Sequence, residues 1–86
     1  MPEICRFFGI VIFMNYNDHL PPHFHVRYGD QRAVVGIQPL ILLAGALSPR
    51  AFGLVMEWAV LHQVELMDNW HLARHQAPLI KVQPLE

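Results

Sequence analysis

Hydrophobic and polar residues alternate most clearly over residues 23–37, HFHVRYGDQRAVVGI. Gly29 and Asp30 lie at the centre of this segment and are typical of a two-residue turn, so the pattern predicts a β-hairpin. The opposed pairs are then Tyr28 with Gln31, Arg27 with Arg32, His25 with Val34, and Phe24 with Val35. Successive side chains of a strand point to opposite faces. One face of the hairpin is therefore apolar, and the other carries His23, His25, Arg27 and Arg32.

The segments on either side of this hairpin are more apolar and alternate less. Residues 6–17, RFFGIVIFMNYN, are rich in β-branched and aromatic residues and predict one strand that is apolar on both faces. Pro21 and Pro22 end this strand, because proline cannot donate to a strand ladder. After the hairpin, QPLILLAGAL predicts a loop with a possible short strand at 40–43.

A helical period begins after residue 47. Ser48 is a favourable N-cap, and Pro49 at the first helical position removes an N–H group that would have no partner there. Apolar residues then recur at helical spacing up to the residues before Pro78, as one long helix or as two helices joined near His62. The tail, 76–86, is apolar and is expected to contact the sheet edge or a partner.

Together these elements predict a single α+β domain over residues 1–86. The expected architecture is an antiparallel sheet of three or four strands with one long or two consecutive helices packed on one face.

Composition adds the expectation of a protein partner. Hydrophobic residues form 53% of the 86 residues and charged residues only 15%, against roughly a quarter charged in an average domain. So small a chain has little interior for this apolar surface, so we expect part of it to contact a second copy or another protein. The net charge of −1 argues against a broadly basic nucleic-acid-binding domain but leaves a local basic site open.

Several absences narrow the chemistry. Cys5 is the only cysteine, so neither a disulfide within the chain nor an all-cysteine zinc site is expected. Threonine is missing and Ser48 is the only serine, which argues against a hydroxyl nucleophile. No signal peptide or membrane-spanning run is recognisable, and the sequence therefore predicts a cytoplasmic protein.

The polar face of the predicted hairpin is the main candidate for chemistry. His23 and His25 could act as acid and base, and Arg27 and Arg32 could bind phosphate, because paired guanidinium groups hold that anion well. Cleavage of RNA without a metal cofactor needs these residue types. In a structural alternative, the histidines pack against the first strand and the arginines pair with Asp18, Asp30 or Glu57. In a third interpretation, His19, His23 and His25, with Asp18, form a zinc site.

The chain also resembles a known family. The motifs that carry the resemblance are RFFGIVIFMNYNDHLPPHFHVRYGDQRAVV, GALSPRAFGLVMEWAVLHQVEL, NWHLAR and the closing PLE. They are similar to the small bacterial proteins called domain of unknown function 4160, over essentially the whole chain. The resemblance implies no catalytic residues. It does imply a partner, because members often occur beside a small protein called domain of unknown function 2442, in arrangements that look like toxin–antitoxin pairs.

Three functional hypotheses follow. The first is a toxin–antitoxin-type component that acts on RNA through the histidines and arginines, without a cofactor. The second is a non-catalytic protein-binding or regulatory module, which forms homo-oligomers or binds an antitoxin-like partner. The third is a metal protein whose histidines bind zinc. Whether the protein is an enzyme stays open between them.

Overall fold

The computed structural model describes residues 2–86, and it is an α+β fold with five strands and two helices. The elements in chain order are β1 (Glu3–Phe7), β2 (Ile10–Phe13), β3 (His23–Tyr28), β4 (Gln31–Gly36), β5 (Leu42–Ala46), α1 (Pro49–Leu61) and α2 (Gln63–Arg74). The strands form one antiparallel sheet in the order β1-β2-β3-β4-β5. The α+β class is thus confirmed, but the expectation of three or four strands is wrong.

The first additional strand arises because residues 6–17 do not form one strand. The chain reverses at Phe8 and Gly9, whose φ angles are 50° and 81°, and β1 then pairs with β2. A two-residue hairpin turn needs such positive φ values, which glycine adopts readily. The reversal sits inside an uninterrupted apolar run, so hydrophobicity alone did not reveal it.

The predicted hairpin is confirmed residue by residue. Tyr28 pairs with Gln31, Arg27 with Arg32, His25 with Val34, and Phe24 with Val35. The possible strand at 40–43 lies further along, as β5, which pairs with β4 and is exposed along its whole length. Gly45 is required in β5, because it has a φ of +77° and a Cβ there would collide with the carbonyl oxygen of Arg32.

The helices pack on the apolar face of the sheet. Ser48 caps α1 by accepting a hydrogen bond from the N–H of Ala51, and Pro49 opens the helix, as predicted. The helical segment is divided at His62 into two helices. Trp58 of α1 is fully buried and contacts Phe7 and Phe24, with ring centroids 5.5 and 6.0 Å apart. The largest fully buried hydrophobic side chains are Trp58, Phe24, Ile4, Ile10, Ile12, Met14, Ile37 and Leu66.

The tail covers the β1 edge of the sheet. Val82 donates its N–H to the carbonyl of Ile4, and Trp58 donates its indole N–H to the carbonyl of Gln83 at 2.8 Å. The buried amide of Asn69 bonds both the N–H and the carbonyl of Ile80. Of the two positions expected for the tail, it takes the sheet edge. Within residues 2–86, neither helix has the length and apolar character needed to cross a membrane.

Candidate metal centre

The loop between β2 and β3 brings a carboxylate against two histidines. Asp18 lies in this loop, which is tied to α2 because the N–H of Asn17 donates to the carbonyl of Ala73. His23 and His25 follow at the start of β3, two residues apart and on the same side of the strand. The carboxylate thereby meets both imidazole rings at one end of the sheet.

One oxygen of Asp18 contacts both rings. The Oδ2 atom is 2.9 Å from Nε2 of His23 and 3.0 Å from Nε2 of His25. One ligand atom from each of the three residues lies within 4.8 Å of the others. The side chains are largely shielded from solvent, with exposed fractions of 16% for Asp18, 8% for His23 and 21% for His25.

His23 is held in a fixed orientation. Its Nδ1 atom is 2.7 Å from the carbonyl oxygen of Pro21, and a carbonyl only accepts hydrogen bonds, so Nδ1 carries a proton. In a neutral ring, Nε2 then has no proton and directs its lone pair at the Asp18 carboxylate. This short contact between two acceptors requires a positive charge, which either a second proton on His23 or a metal ion can supply.

Neighbouring side chains orient the two rings. Phe13 stacks on His25 with centroids 5.1 Å apart and an interplanar angle of 12°. Trp70 of α2 packs on His23 at 5.0 Å. Asn15 places Nδ2 3.3 Å from Nε2 of His25. The Asn15 amide therefore lies beside the contact between His25 and Asp18.

The carboxylate of Asp18 is strongly stabilised in its charged form. Burial alone would raise the pKa of Asp18, but hydrogen bonds from His25 and His23 outweigh burial and lower it from 3.8 to about 2. Asp18 is therefore ionised at neutral pH. An anionic oxygen between two imidazole nitrogens is a suitable ligand set for a divalent transition metal.

His19 lies outside this cluster. Its side chain is 96% exposed, and its nearest approach to Asp18 is 4.0 Å, from Nδ1 to Oδ1. Of the four residues in the zinc interpretation, the structure brings together Asp18, His23 and His25. His19 did not fold back across the two prolines to join them.

Arg27 and Arg32 face each other across the β3–β4 pair, as expected. Among the described residues neither arginine forms an ion pair, so the pairing with Asp18, Asp30 or Glu57 in the structural alternative does not occur. Arg32 and His25 line one concavity of about 250 Å³ on the face of the sheet opposite the helices. The other residues that line it are Phe13, Val26, Ala33, Val34, Ala44 and Gly45.

One alternative from the sequence has the histidines packed against the first strand, and Phe13 of that strand does stack on His25. No sequence argument singled out Phe13, Asn15 or Trp70 themselves. Phe13 could have been found, because strand alternation places it on the β2 face that borders His25 once the pairing of Phe13 with His25 is known. Asn15 lies in an irregular loop and Trp70 lies on a helix distant in sequence. No local pattern connects either of them to the histidines.

Comparison with known proteins shows a match to one family model. The model of DUF4160, a domain of unknown function, matches residues 9–71, which include Asp18 and both histidines of the cluster. No curated protein and no solved structure shows significant similarity.

Proposed function

The chain belongs to the DUF4160 family, whose description assigns no activity, so we propose a function from the site alone: binding of a divalent transition metal ion by Asp18, His23 and His25. Two imidazoles and one carboxylate are a common ligand set for non-haem iron(II) and for zinc, with the remaining positions open to water or substrate.

The orientation of His23 is the observation that carries this proposal. Ligating histidines usually donate their second ring N–H to a carbonyl or carboxylate, which fixes the ring and its tautomer. His23 makes this contact with the carbonyl of Pro21, and its Nε2 atom faces the carboxylate of Asp18, where a metal ion would bind.

Distances between the ligand atoms agree with the proposal. Two ligand atoms about 2.1 Å from a metal ion are about 3.0 Å apart at the right angles of octahedral coordination and about 3.4 Å apart at the tetrahedral angles of zinc. The separations of Asp18 Oδ2 from the two Nε2 atoms are 2.9 and 3.0 Å. A cation could enter with only a small outward movement of these side chains.

The proposal is tested by metal analysis of the untagged protein, purified without a nickel column. We expect about one metal ion per chain in the purified or zinc-reconstituted protein. His23→Ala and Asp18→Ala should each weaken zinc affinity roughly 100-fold or more, because even an outer contact to a ligand is worth 10–100-fold. His71→Ala, which changes an exposed histidine of α2, is the matched control. Substoichiometric metal after reconstitution, or equal loss in the control, would contradict the proposal.

Acid–base chemistry on RNA by His23 and His25 without a metal, as in a toxin–antitoxin component, stays a prediction. The geometry supports it less well, since His23 is buried and both of its ring nitrogens already have partners. His25 is the better placed of the two, because it borders the concavity that Arg32 also lines.

A second candidate function, association with another copy of this chain, is favoured by the β5 edge of the sheet. β5 is exposed throughout, and residues 38–47 contain no charged side chain. Natural edge strands are usually protected by charge, proline or a covering segment. The β1 edge has such a cover in the tail, whereas β5 has none among the described residues.

We propose that β5 pairs antiparallel with β5 of a second copy. An uncharged strand is self-complementary in this arrangement, because no like charges meet across the two-fold axis. Light scattering after size exclusion should give the mass of a dimer, twice 9.9 kDa. A monomer at concentrations of about 100 μM would overturn this proposal, since specific interfaces of ordinary size bind more tightly than that.

A further inference from the structure

The two arginines of the hairpin are unpaired cations on one face of the sheet. Arg27 and Arg32 are directly opposed in the β3–β4 register, where side chains of neighbouring strands lie about 5 Å apart at Cβ. Like charges at such positions repel each other. Neither guanidinium forms an ion pair with a carboxylate in the described part of the chain. The carboxylate of Glu3 lies near enough to Arg27 to feel its charge, but Glu3 is bonded to Arg6, so the pair is suited to an external anion.

Arg32 lies beside the proposed metal centre. Arg32 and His25 line the same concavity of about 250 Å³. A water molecule occupies about 30 Å³ in the liquid, so this space can hold a group of several heavy atoms. Its walls are mostly apolar, formed by Phe13, Val34 and Ala44. Arg32 and the metal position would supply polar contacts inside it, and Arg27, which lies outside its lining but opposite Arg32 on β3, would add a contact from the neighbouring strand.

We infer that this concavity binds the phosphoryl group of a ligand, held by Arg27 and Arg32, with one phosphoryl oxygen at an open coordination position of the metal ion. The inference rests on the proposed metal site. Planar guanidinium groups bind phosphate oxygens in pairs. A divalent ion and two guanidiniums outweigh the single Asp18 carboxylate in charge, which favours a phosphoryl group over a singly charged carboxylate.

Inorganic phosphate and a ten-nucleotide single-stranded oligouridylate without terminal phosphate are the probes for this inference. Protein loaded with one equivalent of cobalt(II) reports coordination directly, because a phosphate oxygen that binds cobalt changes its visible absorption spectrum. We expect saturable spectral changes with inorganic phosphate. The oligonucleotide separates the two sources of the group: tighter binding than inorganic phosphate assigns the site to an RNA backbone, and weaker binding assigns it to small phosphate esters.

Arg27→Ala and Arg32→Ala should each weaken binding of the preferred probe tenfold or more while cobalt binding stays stoichiometric. Arg50→Ala, at an exposed position of α1, is the control and should leave binding unchanged. Stoichiometric cobalt whose spectrum responds to neither probe overturns this inference alone. Equal affinity in wild type and both arginine variants also overturns it. A protein that binds no cobalt overturns the metal proposal and, with it, this inference.

Discussion

At the scale of single residues, the contact between Asp18 and His23 determines that the candidate site needs a positive charge. Because the carbonyl of Pro21 holds a proton on Nδ1 of His23, the other ring nitrogen meets the carboxylate with a lone pair unless a positive charge lies between them. Metal-free protein must use a proton for this purpose. Metal binding and protonation of His23 therefore compete for the same position.

The pH dependence of the free energy of unfolding measures how much the charged Asp18 carboxylate stabilises the metal-free protein. The pKa of Asp18 is lowered from 3.8 to about 2 in the folded chain, so its stabilising contribution is present above about pH 4 and is lost as the pH falls toward 2. At about 1.4 kcal/mol per pKa unit, Asp18→Asn should lower the free energy of unfolding by about 2 kcal/mol at pH 5. The difference from wild type should shrink toward zero at pH 2.

Urea unfolding at pH 5 and pH 2, with a chelator present, gives this comparison. Asp68→Asn is the control, because Asp68 is exposed on α2 and the substitution should have little effect at either pH. A deficit in Asp18→Asn that persists unchanged at pH 2 would mean that the carboxylate charge is not its cause.

At the scale of secondary-structure elements, the backbones of β4 and β5 lie close together at Gly45. A Cβ at this position would meet the backbone of Arg32 and Ala33, and backbone cannot move aside as a flexible side chain can. The same strand pair forms part of the concavity beside His25. The shape of that space thus depends on a glycine.

Gly45→Ala should destabilise the protein by about 2 kcal/mol or more, because a positive φ is unfavourable for alanine and the backbones must separate. Gly53→Ala is the matched control, and we expect it to change the stability in the opposite direction. Gly53 lies in α1, and a Cβ there meets nothing within 4 Å, so the change should stabilise the helix by up to about 1 kcal/mol. Thermal unfolding of both variants checks the pair. If Gly45→Ala melts at the wild-type temperature, the close approach has been misjudged.

The hairpin of β3 and β4 was predictable from sequence, whereas its neighbours were not, and the reason lies in the turns. Gly29 and Asp30 are residue types typical of a two-residue turn. Their position therefore determines which residues of β3 and β4 are paired. The turn at Phe8 and Gly9 interrupts an apolar run with only one glycine as a signal. β5 is apolar yet exposed, so its residues lack the alternation that identifies a strand.

The candidate site was likewise predictable only in part. Strand alternation places His23 and His25 together, and a local rule suffices for that. The position of Asp18 depends on the path of the loop before β3, which is set by contacts with α2 such as that of Asn17 with Ala73. The exclusion of His19 depends on the same path. Tertiary contacts of this kind leave no periodic trace in the sequence.

At the scale of the whole molecule, the two edges of the sheet differ. One is covered by the chain's own tail through Val82 and Ile4, and the other, β5, is uncovered along its length in the described residues. Only part of the exposed apolar surface lies at this edge, because Leu61 and Val64 of the helices are more exposed than the large hydrophobic residues of β5. Exposed hydrophobic side chains in and beside β5 include Ile41, Leu42 and Leu43.

Leu42→Lys should convert the proposed dimer to a monomer, because a lysine on an edge strand opposes pairing with a second strand. Val60→Lys is the control, since Val60 is an exposed apolar residue of α1, away from the sheet edge. Analytical ultracentrifugation over a concentration series distinguishes the two. If both variants sediment as wild type does, β5 is not the interface.

The cover over β1 limits the number of copies that could assemble through the edges of the sheet. Were both outer strands free, copies could add side by side without limit and grow into fibrils. Because the C-terminal residues cover one edge of the sheet, each molecule has a single open edge strand. Pairing of two such strands would leave no open edge to which a third copy could add. Loosening the tail, residues 76–86, should therefore convert the proposed dimer into a polymer.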